Sequence, residues 1–351
     1  MEPILLDKLT QVGDLWAAEA ENSVRCQACA HRCLIRPDRR GVCGVRFNRG
    51  GKLYVPWGYV AGVQVDPVEK KPFNHFLPGS QVLTFGMLGC NFHCSFCQNW
   101  YSSQALRDPR ASQSMLQIEK ITPQALIELA QQNGASAVAS SYNEPLITSE
   151  WAVEIFKHAK QANLKTACVS NGYATPEVLK YLSPWLDGFK IDLKSMQDRR
   201  YREMGGVLNH VLDSIRLARE LGLWVEVVTL VIPGFNDSLE ELWELSRFLV
   251  SVSADIPWHV TAYHPDYLMT DAPATPVATL QRAAEIGQEA GLHYVYAGNL
   301  PGRVGTLEDT LCPGCSQVLI RRRGYQVFEN KITAVGTCPN CGQKIPGVWA
   351  E

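Results

Sequence analysis

The chain is expected to fold as an α/β protein, a partial (β/α)6 barrel with a Cys-rich N-terminal extension and a C-terminal zinc-ribbon-like domain. Three observations carry this expectation. Short β-rich runs alternate with helical patterns through the middle of the chain, as they do where a parallel sheet forms. Eleven of the twelve cysteines fall into three groups, at 26, 29, 33 and 43, at 90, 94 and 97, and at 312, 315, 338 and 341. The polar residues least suited to a core follow the expected strands, where parallel α/β folds collect their reactive groups. The parts are drawn at residues 1–80, 81–300 and 301–351.

Residues 1–23 carry acids where a signal peptide needs positive charge, and they read as a short amphipathic helix. Strands are expected at Val82–Gly86, Ala137–Ser141, Lys165–Ser170, Gly188–Leu193, Trp224–Ile232 and His259–Tyr263. Helical apolar spacing marks Pro123–Asn133, Ser149–Asn163, Pro176–Leu182, Asn209–Leu221 and Leu239–Val250. Thr122-Pro123 and Thr175-Pro176 read as N-caps followed by Pro at the first helical position. A helix at Pro276–Ala290 and a strand at His293–Tyr296 close the region. Six βα units are too few to close a barrel of the eight-unit kind, so an open form is expected.

Of 351 residues, 33 are basic and 35 acidic, so the net charge of −2 gives no bulk attraction to nucleic acid or anionic lipid. Arg321-Arg322-Arg323 is the densest basic run and reads as a solvated strand or turn. No apolar stretch reaches the length of a membrane span, and a cytoplasmic location is expected. In a reducing cytosol, grouped cysteines favour metal or iron–sulfur ligation over disulfides. Cys168 alone stands outside the groups.

Cys90, Cys94 and Cys97 lie within eight residues, directly after the first expected strand. Three thiolates can hold three corners of a cubane and leave the fourth iron open, which a catalytic centre requires. A structural zinc loop completed by His93 is the alternative. Cys312, Cys315, Cys338 and Cys341 form two Cys-Pro-x-Cys pairs separated by 22 residues, which suits a closed zinc site on two hairpins. Rubredoxin-like iron is the alternative there. Cys26, Cys29, Cys33 and Cys43 fit either a closed zinc site or an auxiliary [4Fe-4S] cluster, with His31 a fifth candidate; the reading leans to zinc. Alternation turns Lys190, Asp192 and Lys194 to one face of their strand. Two Lys and an Asp cannot make apolar core, so that face is expected to line a wet or occupied cavity.

The Cys-x3-Cys-x2-Cys loop, with Phe96 before the last Cys, resembles the radical S-adenosylmethionine (SAM) superfamily. The resemblance implies that the open iron binds the amino and carboxylate groups of SAM. One electron then cleaves SAM to methionine and a 5′-deoxyadenosyl radical, which abstracts hydrogen from a substrate. Where that superfamily holds the SAM amino group with a Gly-Gly-Glu-like segment, this chain has Ser140-Ser141-Tyr142-Asn143-Glu144-Pro145. The acid is kept and the glycines are not. Glu144 and the carbonyls before it can accept hydrogen bonds from an ammonium; a strand-end Glu facing water is the plainer alternative. Ser170-Asn171-Gly172 resembles a Thr-Asn-Gly segment beside SAM in glycyl-radical-enzyme activases, and a structural turn is its rival. The activases also carry an Asp-x-Lys like Asp192-Leu193-Lys194, and a Tyr-His like Tyr263-His264. The resemblance therefore makes Asp192, Lys194 and His264 catalytic candidates. Tyr142, Asn143, Glu144, Ser170, Asn171 and Asp192 become SAM-binding candidates. Val231-Ile232-Pro233-Gly234 falls where SAM's adenine is commonly packed.

The run Arg25-Cys26-Gln27-Ala28-Cys29-Ala30-His31-Arg32-Cys33, then Gly41-Val42-Cys43-Gly44-Val45-Arg46, then Asp66–Pro72 and His75–Ser80, resembles the radical SAM enzyme of the AmmeMemoRadiSam system. That family is related to the pyruvate formate-lyase activating enzymes, and the likeness covers nearly the whole chain. It implies a [4Fe-4S] cluster, SAM and zinc as cofactors, a protein or other macromolecular substrate, and a donor such as flavodoxin or ferredoxin. It also implies association with Memo and AMMECR-type proteins. Two alternatives stand beside this reading. One is a radical enzyme acting on a small molecule; the other is a metal-binding adaptor with secondary or no catalysis.

Overall fold

The computed structural model describes residues 5–111 and 118–350. One eight-stranded sheet organises the chain. Its strands are β1 (Gly62–Pro67), β2 (Gln81–Gly86), β3 (Ala135–Ser140), β4 (Lys165–Ser170), β5 (Gly188–Asp192), β6 (Trp224–Val231), β7 (Trp258–Ala262) and β8 (Val295–Gly298). They lie side by side in chain order. β2 to β8 are parallel throughout, and β1 pairs antiparallel with β2 at the edge. The expected closing strand at His293–Tyr296 joins this sheet as β8, two residues later than expected at its start.

The longer helices are α1 (Pro123–Gln132), α2 (Ser149–Gln161), α3 (Pro176–Leu182), α4 (Leu208–Glu220), α5 (Leu239–Val252) and α6 (Val277–Glu289). Their starts follow the sequence signals. The Thr122 side chain accepts from Ala125 N, Thr175 from Val178 N and Ser238 from Glu241 N, which satisfies donors the first turn leaves open. α2 buries Trp151, Ile155, Phe156 and Ala159, a helical stripe turned to the sheet.

The expected N-terminal amphipathic helix does not form in the described part of residues 1–23; residues 1–4 lie outside it. A 3-10 turn at Leu5–Lys8 leads into strands at Thr10–Val12 and Trp16–Ala18. These pair with Lys52–Pro56 and Val24–Cys26 respectively. Strand partners, distant for Thr10–Val12 and a neighbouring hairpin arm for Trp16–Ala18, override the local helical pattern.

The tail folds as a three-stranded antiparallel sheet of β9 (Thr310–Leu311), β10 (Val318–Arg323) and β11 (Gln326–Asn330). The expectation of a solvated Arg321–Arg323 run fails at its middle residue. Strand alternation turns Arg322 inward, where it donates to Thr310 Oγ1 and the Asn74 carbonyl, each at 2.7 Å. Beside it, His75 bonds to Tyr296 Oη at 2.6 Å and to the Pro346 carbonyl at 2.7 Å. His259 bonds to Glu226 at 2.7 Å. This buried polar seam joins the segment before β2, the strands of the main sheet and the tail. Among the described residues, no helix is long and apolar enough to cross a membrane.

Candidate functional site

At the C-terminal ends of the parallel strands lies a cavity of about 390 Å³, lined by residues from every strand end between β2 and β8. That volume falls in the range of small-molecule sites. Backbone packing builds its floor first. A Cβ on Gly86 would meet the Ser141 carbonyl at 2.6 Å and Tyr142 Cβ at 2.9 Å, so only glycine lets the loops after β2 and β3 meet. Asn143 Oδ1 then accepts from Met87 N at 2.9 Å. The start of the cysteine loop is thereby fixed to the loop after β3.

Cys90, Cys94 and Cys97 all line the cavity, and no fourth cysteine does among the described residues. Cys90 Sγ accepts from Phe92 N at 3.3 Å, and Cys97 Sγ lies 3.2 Å from Ser103 Oγ. Burial pushes all three thiols up from their ordinary values. Asn171 Nδ2 donates to Asn91 Oδ1 at 2.7 Å and lies 3.9 Å from Cys90 Sγ. The end of β4 therefore touches the cysteine loop directly.

Glu144 does not face water. It is 2 % exposed. Oε1 accepts from Ser170 Oγ at 2.6 Å and Leu146 N at 3.0 Å, and Oε2 accepts from Asn171 N at 2.9 Å. Burial raises its carboxyl to about 7 against the pull of these donors. Its neighbours occupy much of its accepting capacity, so Glu144 ties the ends of β3 and β4 together while bordering the cavity.

Lys190, Asp192 and Lys194 share one face, as alternation requires, and that face lines the cavity. Asp192 bonds Lys190 through Oδ1 and Lys194 through Oδ2, the latter at 2.8 Å. Burial opposes ionisation of Asp192, but the two ammonium groups outweigh it and hold the carboxyl well below the usual range. Burial likewise works against the Lys194 charge, and Asp192 overcomes it.

Tyr142 also lines the cavity, in a left-handed backbone conformation with φ of 69°. His264 is exposed and bonds at 3.1 Å to Gln98, which lines the cavity; it stands at the mouth. Phe96 lines the wall and packs edge-on to Phe235, next to the Ile232–Gly234 turn, at 5.4 Å. Sequence reasoning missed Lys71 and Tyr325. Lys71 is buried, bonds Asp66 at 3.1 Å and Tyr142 Oη at 3.1 Å, and lines the cavity. Strand pairing between β1 and β2 brings it there, and the alternation of Val63 and Val65 with Gln64 and Asp66 was the available signal. Tyr325 reaches the wall from the β10–β11 turn, and no local pattern announces it.

The four tail sulfurs lie within 4.8 Å of one another, with Cys312–Cys341 at 3.5 Å and Cys315–Cys338 at 3.7 Å. A tetrahedral zinc with Zn–S bonds of about 2.3 Å spaces its sulfurs about 3.8 Å apart, so this quartet has the size of one ion. Cys26, Cys29 and Cys43 are buried and Cys33 is half-buried, in the segment that precedes β1.

The radical SAM superfamily model matches residues 85–249. An uncharacterized protein of Methanocaldococcus jannaschii is 36% identical over 331 residues, covering 93% of this chain and 96% of that protein. The pyruvate formate-lyase 1-activating enzyme of Escherichia coli is 25% identical over 199 residues, covering 53% of this chain and 77% of that protein. Among solved structures, a domain of a pyruvate-formate lyase-activating enzyme from Bacteroides vulgatus aligns with a TM-score of 0.41 at 20% identity. It covers 47% of this chain and 100% of that domain.

Proposed function

Because this chain belongs to the radical SAM superfamily, we propose that its Cys90, Cys94 and Cys97 would hold a [4Fe-4S] cluster, whose fourth iron, without a protein ligand, would be free to take SAM. The chain is an enzyme related to the pyruvate formate-lyase activating enzymes. One observation carries the site assignment: three thiols without a fourth share a cavity with Glu144 and with the Lys190–Asp192–Lys194 cluster. Such a cluster, when loaded with SAM and reduced by one electron, supplies a 5′-deoxyadenosyl radical that abstracts hydrogen.

The chain's own residues do the positioning. Asn143 and Asn171 hold the cysteine loop against the ends of β3 and β4. Glu144, fixed by Ser170 and Asn171, borders the place of the SAM amino group with Tyr142. Asp192 and Lys194 present adjacent opposite charges to the SAM amino-acid moiety or to the substrate. Lys194 stays charged, because Asp192 offsets the cost of its burial. His264 stands at the mouth, where a substrate enters.

The wider reading keeps the sheet as a partial (β/α)6-type barrel, the parts at 1–80, 81–300 and 301–351, and a zinc ion in the tail. It keeps membership of the AmmeMemoRadiSam system, with Memo and AMMECR-type proteins as associates, a flavodoxin or ferredoxin as donor, and a cytoplasmic location. A protein substrate is favoured because the curated relative is named as the activator of another enzyme. A small anionic substrate is the second reading, supported by Lys70 and Lys71 on the cavity wall. The adaptor reading is disfavoured, since a scaffold has no need of the paired charges kept around the thiols.

Deuterium tracing tests the choice. Label carried by a candidate partner protein should appear in 5′-deoxyadenosine when enzyme, SAM and reductant are supplied. Label arriving only from the small-molecule fraction of a lysate would reject the protein-substrate reading.

A further inference from the structure

The two groups of thiol quartets differ in size, and that difference bears on what the N-terminal quartet binds. Among the described residues, the tail is the only place where three or more Cys, His, Asp or Glu ligand atoms lie within 4.8 Å of one another. Cys26, Cys29, Cys33 and Cys43 are therefore spread more widely than the thiolates of one tetrahedral zinc, roughly 3.8 Å apart, would be. The Cys90–Cys97 triad is spread in the same way. Four corners of a cubane lie further apart than four bonds from a single ion, so the wide spacing suits a cluster.

The backbone separates the two quartets as well. In the tail both pairs make the same turn: Cys312 N donates to the Gln317 carbonyl at 2.9 Å and Ser316 N to the Cys312 carbonyl at 2.8 Å. The Cys338 pair repeats it with Gln343 at 2.8 Å and Gly342 at 2.9 Å. At the N-terminus Cys26 N donates to the Cys33 carbonyl at 3.0 Å, and Arg32 N to the Cys29 carbonyl at 3.0 Å. Beside the quartet Arg46 is buried, and its Nε has no partner among the described residues. That leaves a donor next to a group that becomes anionic on ligation.

This quartet also packs against the loop of the cavity thiols. The Cys43 carbonyl stands 2.9 Å from where a Cβ on Gly89 would lie. His31 Nε2 is 3.0 Å from the Asn91 carbonyl. Arg107 donates to the Phe92 carbonyl at 2.8 Å and also to the Val42 carbonyl, so one side chain clasps both cysteine loops.

We propose that Cys26, Cys29, Cys33 and Cys43 ligate a second [4Fe-4S] cluster that relays an electron to the cluster at Cys90, Cys94 and Cys97. Its acceptor is the cluster of the functional reading above, and its existence is tested separately. A reduced flavin- or iron–sulfur-containing protein gives up one electron. The N-terminal cluster takes it and passes it on, ending in its starting oxidation state with no bond made or broken. Closed by four thiolates, this cluster has no open iron for SAM.

The test uses the anaerobically reconstituted full chain and its Cys90→Ala/Cys94→Ala/Cys97→Ala variant. Iron analysis should find about eight irons per chain in the parent and about four in the variant, with about one zinc in each. SAM should alter the electron paramagnetic resonance signal of the reduced parent but not that of the variant. A variant without iron and with a second zinc would overturn the proposal. Four irons in the variant, with a parent signal indifferent to SAM, would uphold the second cluster and reject the triad assignment instead. For the relay, Cys29→Ser should lower the ratio of flavodoxin-driven to dithionite-driven SAM cleavage about tenfold, a difference of about 1.4 kcal/mol. An unchanged ratio would overturn the relay. If the triple variant does not fold, the parent decides alone: SAM should perturb about half of its reduced-cluster signal, and perturbation of all of it would overturn the proposal.

Discussion

Glu150, on the first turn of α2, makes a fully buried ion pair with Arg46 from the N-terminal extension. Both side chains are 1% exposed. Arg46 Nη1 donates to Glu150 Oε2 and Nη2 to Oε1, each at 2.7 Å, and Nη1 also reaches the Ile147 carbonyl at 3.1 Å. Leu15 N adds a bond to Oε1 at 3.3 Å. Burial would raise the Glu150 carboxyl, but the guanidinium outweighs it and keeps the acid ionised. Glu150→Gln keeps the shape and removes the charge, which strands a guanidinium in the interior. Breaking one side of such a pair costs about 3–5 kcal/mol, whereas removing both charges together costs far less. Urea unfolding of Glu150→Gln, Arg46→Met and the Arg46→Met/Glu150→Gln double variant forms a complete cycle. The single changes should each destabilise strongly, and the double should recover at least about 2 kcal/mol of their sum. Singles that cost under about 1 kcal/mol and add without coupling would be the behaviour of a solvated pair. That result would refute the reasoning that this bridge fastens the extension to the sheet.

Three further outcomes follow from the site and the tail. Asp192→Asn leaves Lys190 and Lys194 without their shared anion, so kcat/KM for SAM cleavage should fall at least about tenfold, with partial rescue by Asp192→Glu; an unchanged value would remove Asp192 from the site. His75 is held neutral, because burial pushes its pKa down to about 4. Between its unfolded value of about 6.5 and 4, the unfolded chain binds a proton that the folded chain refuses, so stability present above pH 6.5 is lost as pH falls, by up to about 3 kcal/mol. Denaturation curves at pH 7.5 and 4.5 should show a smaller difference for His75→Gln than for the parent, and equal differences would contradict the assignment. Cys341→Ser should release about one zinc per chain, read by metal analysis, and unchanged zinc would reject the tail site.

Much of the fold was legible because local signals and tertiary demands agree along the parallel region. Thr122 and Thr175 cap the helices their sequences announce, and β4 and α3 fall on the expected bounds. Agreement failed where strand pairing decides against the local helical pattern. Thr10–Val12 and Trp16–Ala18 look helical in isolation, yet each gains a strand partner. Arg322 sits in a basic run whose exposed members hide the alternation that buries it. At the cavity, the cysteine triad and the Lys–Asp–Lys face were readable from spacing alone, since period and chemistry there are local. Glu144 was placed correctly at a strand end, but its engagement by Ser170 and Asn171 depends on a neighbouring strand. Lys71 and Tyr325 arrive from segments before and after the parallel region, so only the folded chain brings them to the wall.

On the proposed function, Cys90, Cys94 and Cys97 hold a cluster that cleaves SAM reductively. Anaerobically reconstituted protein, reduced with dithionite and given SAM, should form methionine and 5′-deoxyadenosine in equal amounts. Cys94→Ala should abolish both. Turnover that survives Cys94→Ala would mean that these three cysteines do not hold the SAM-cleaving cluster.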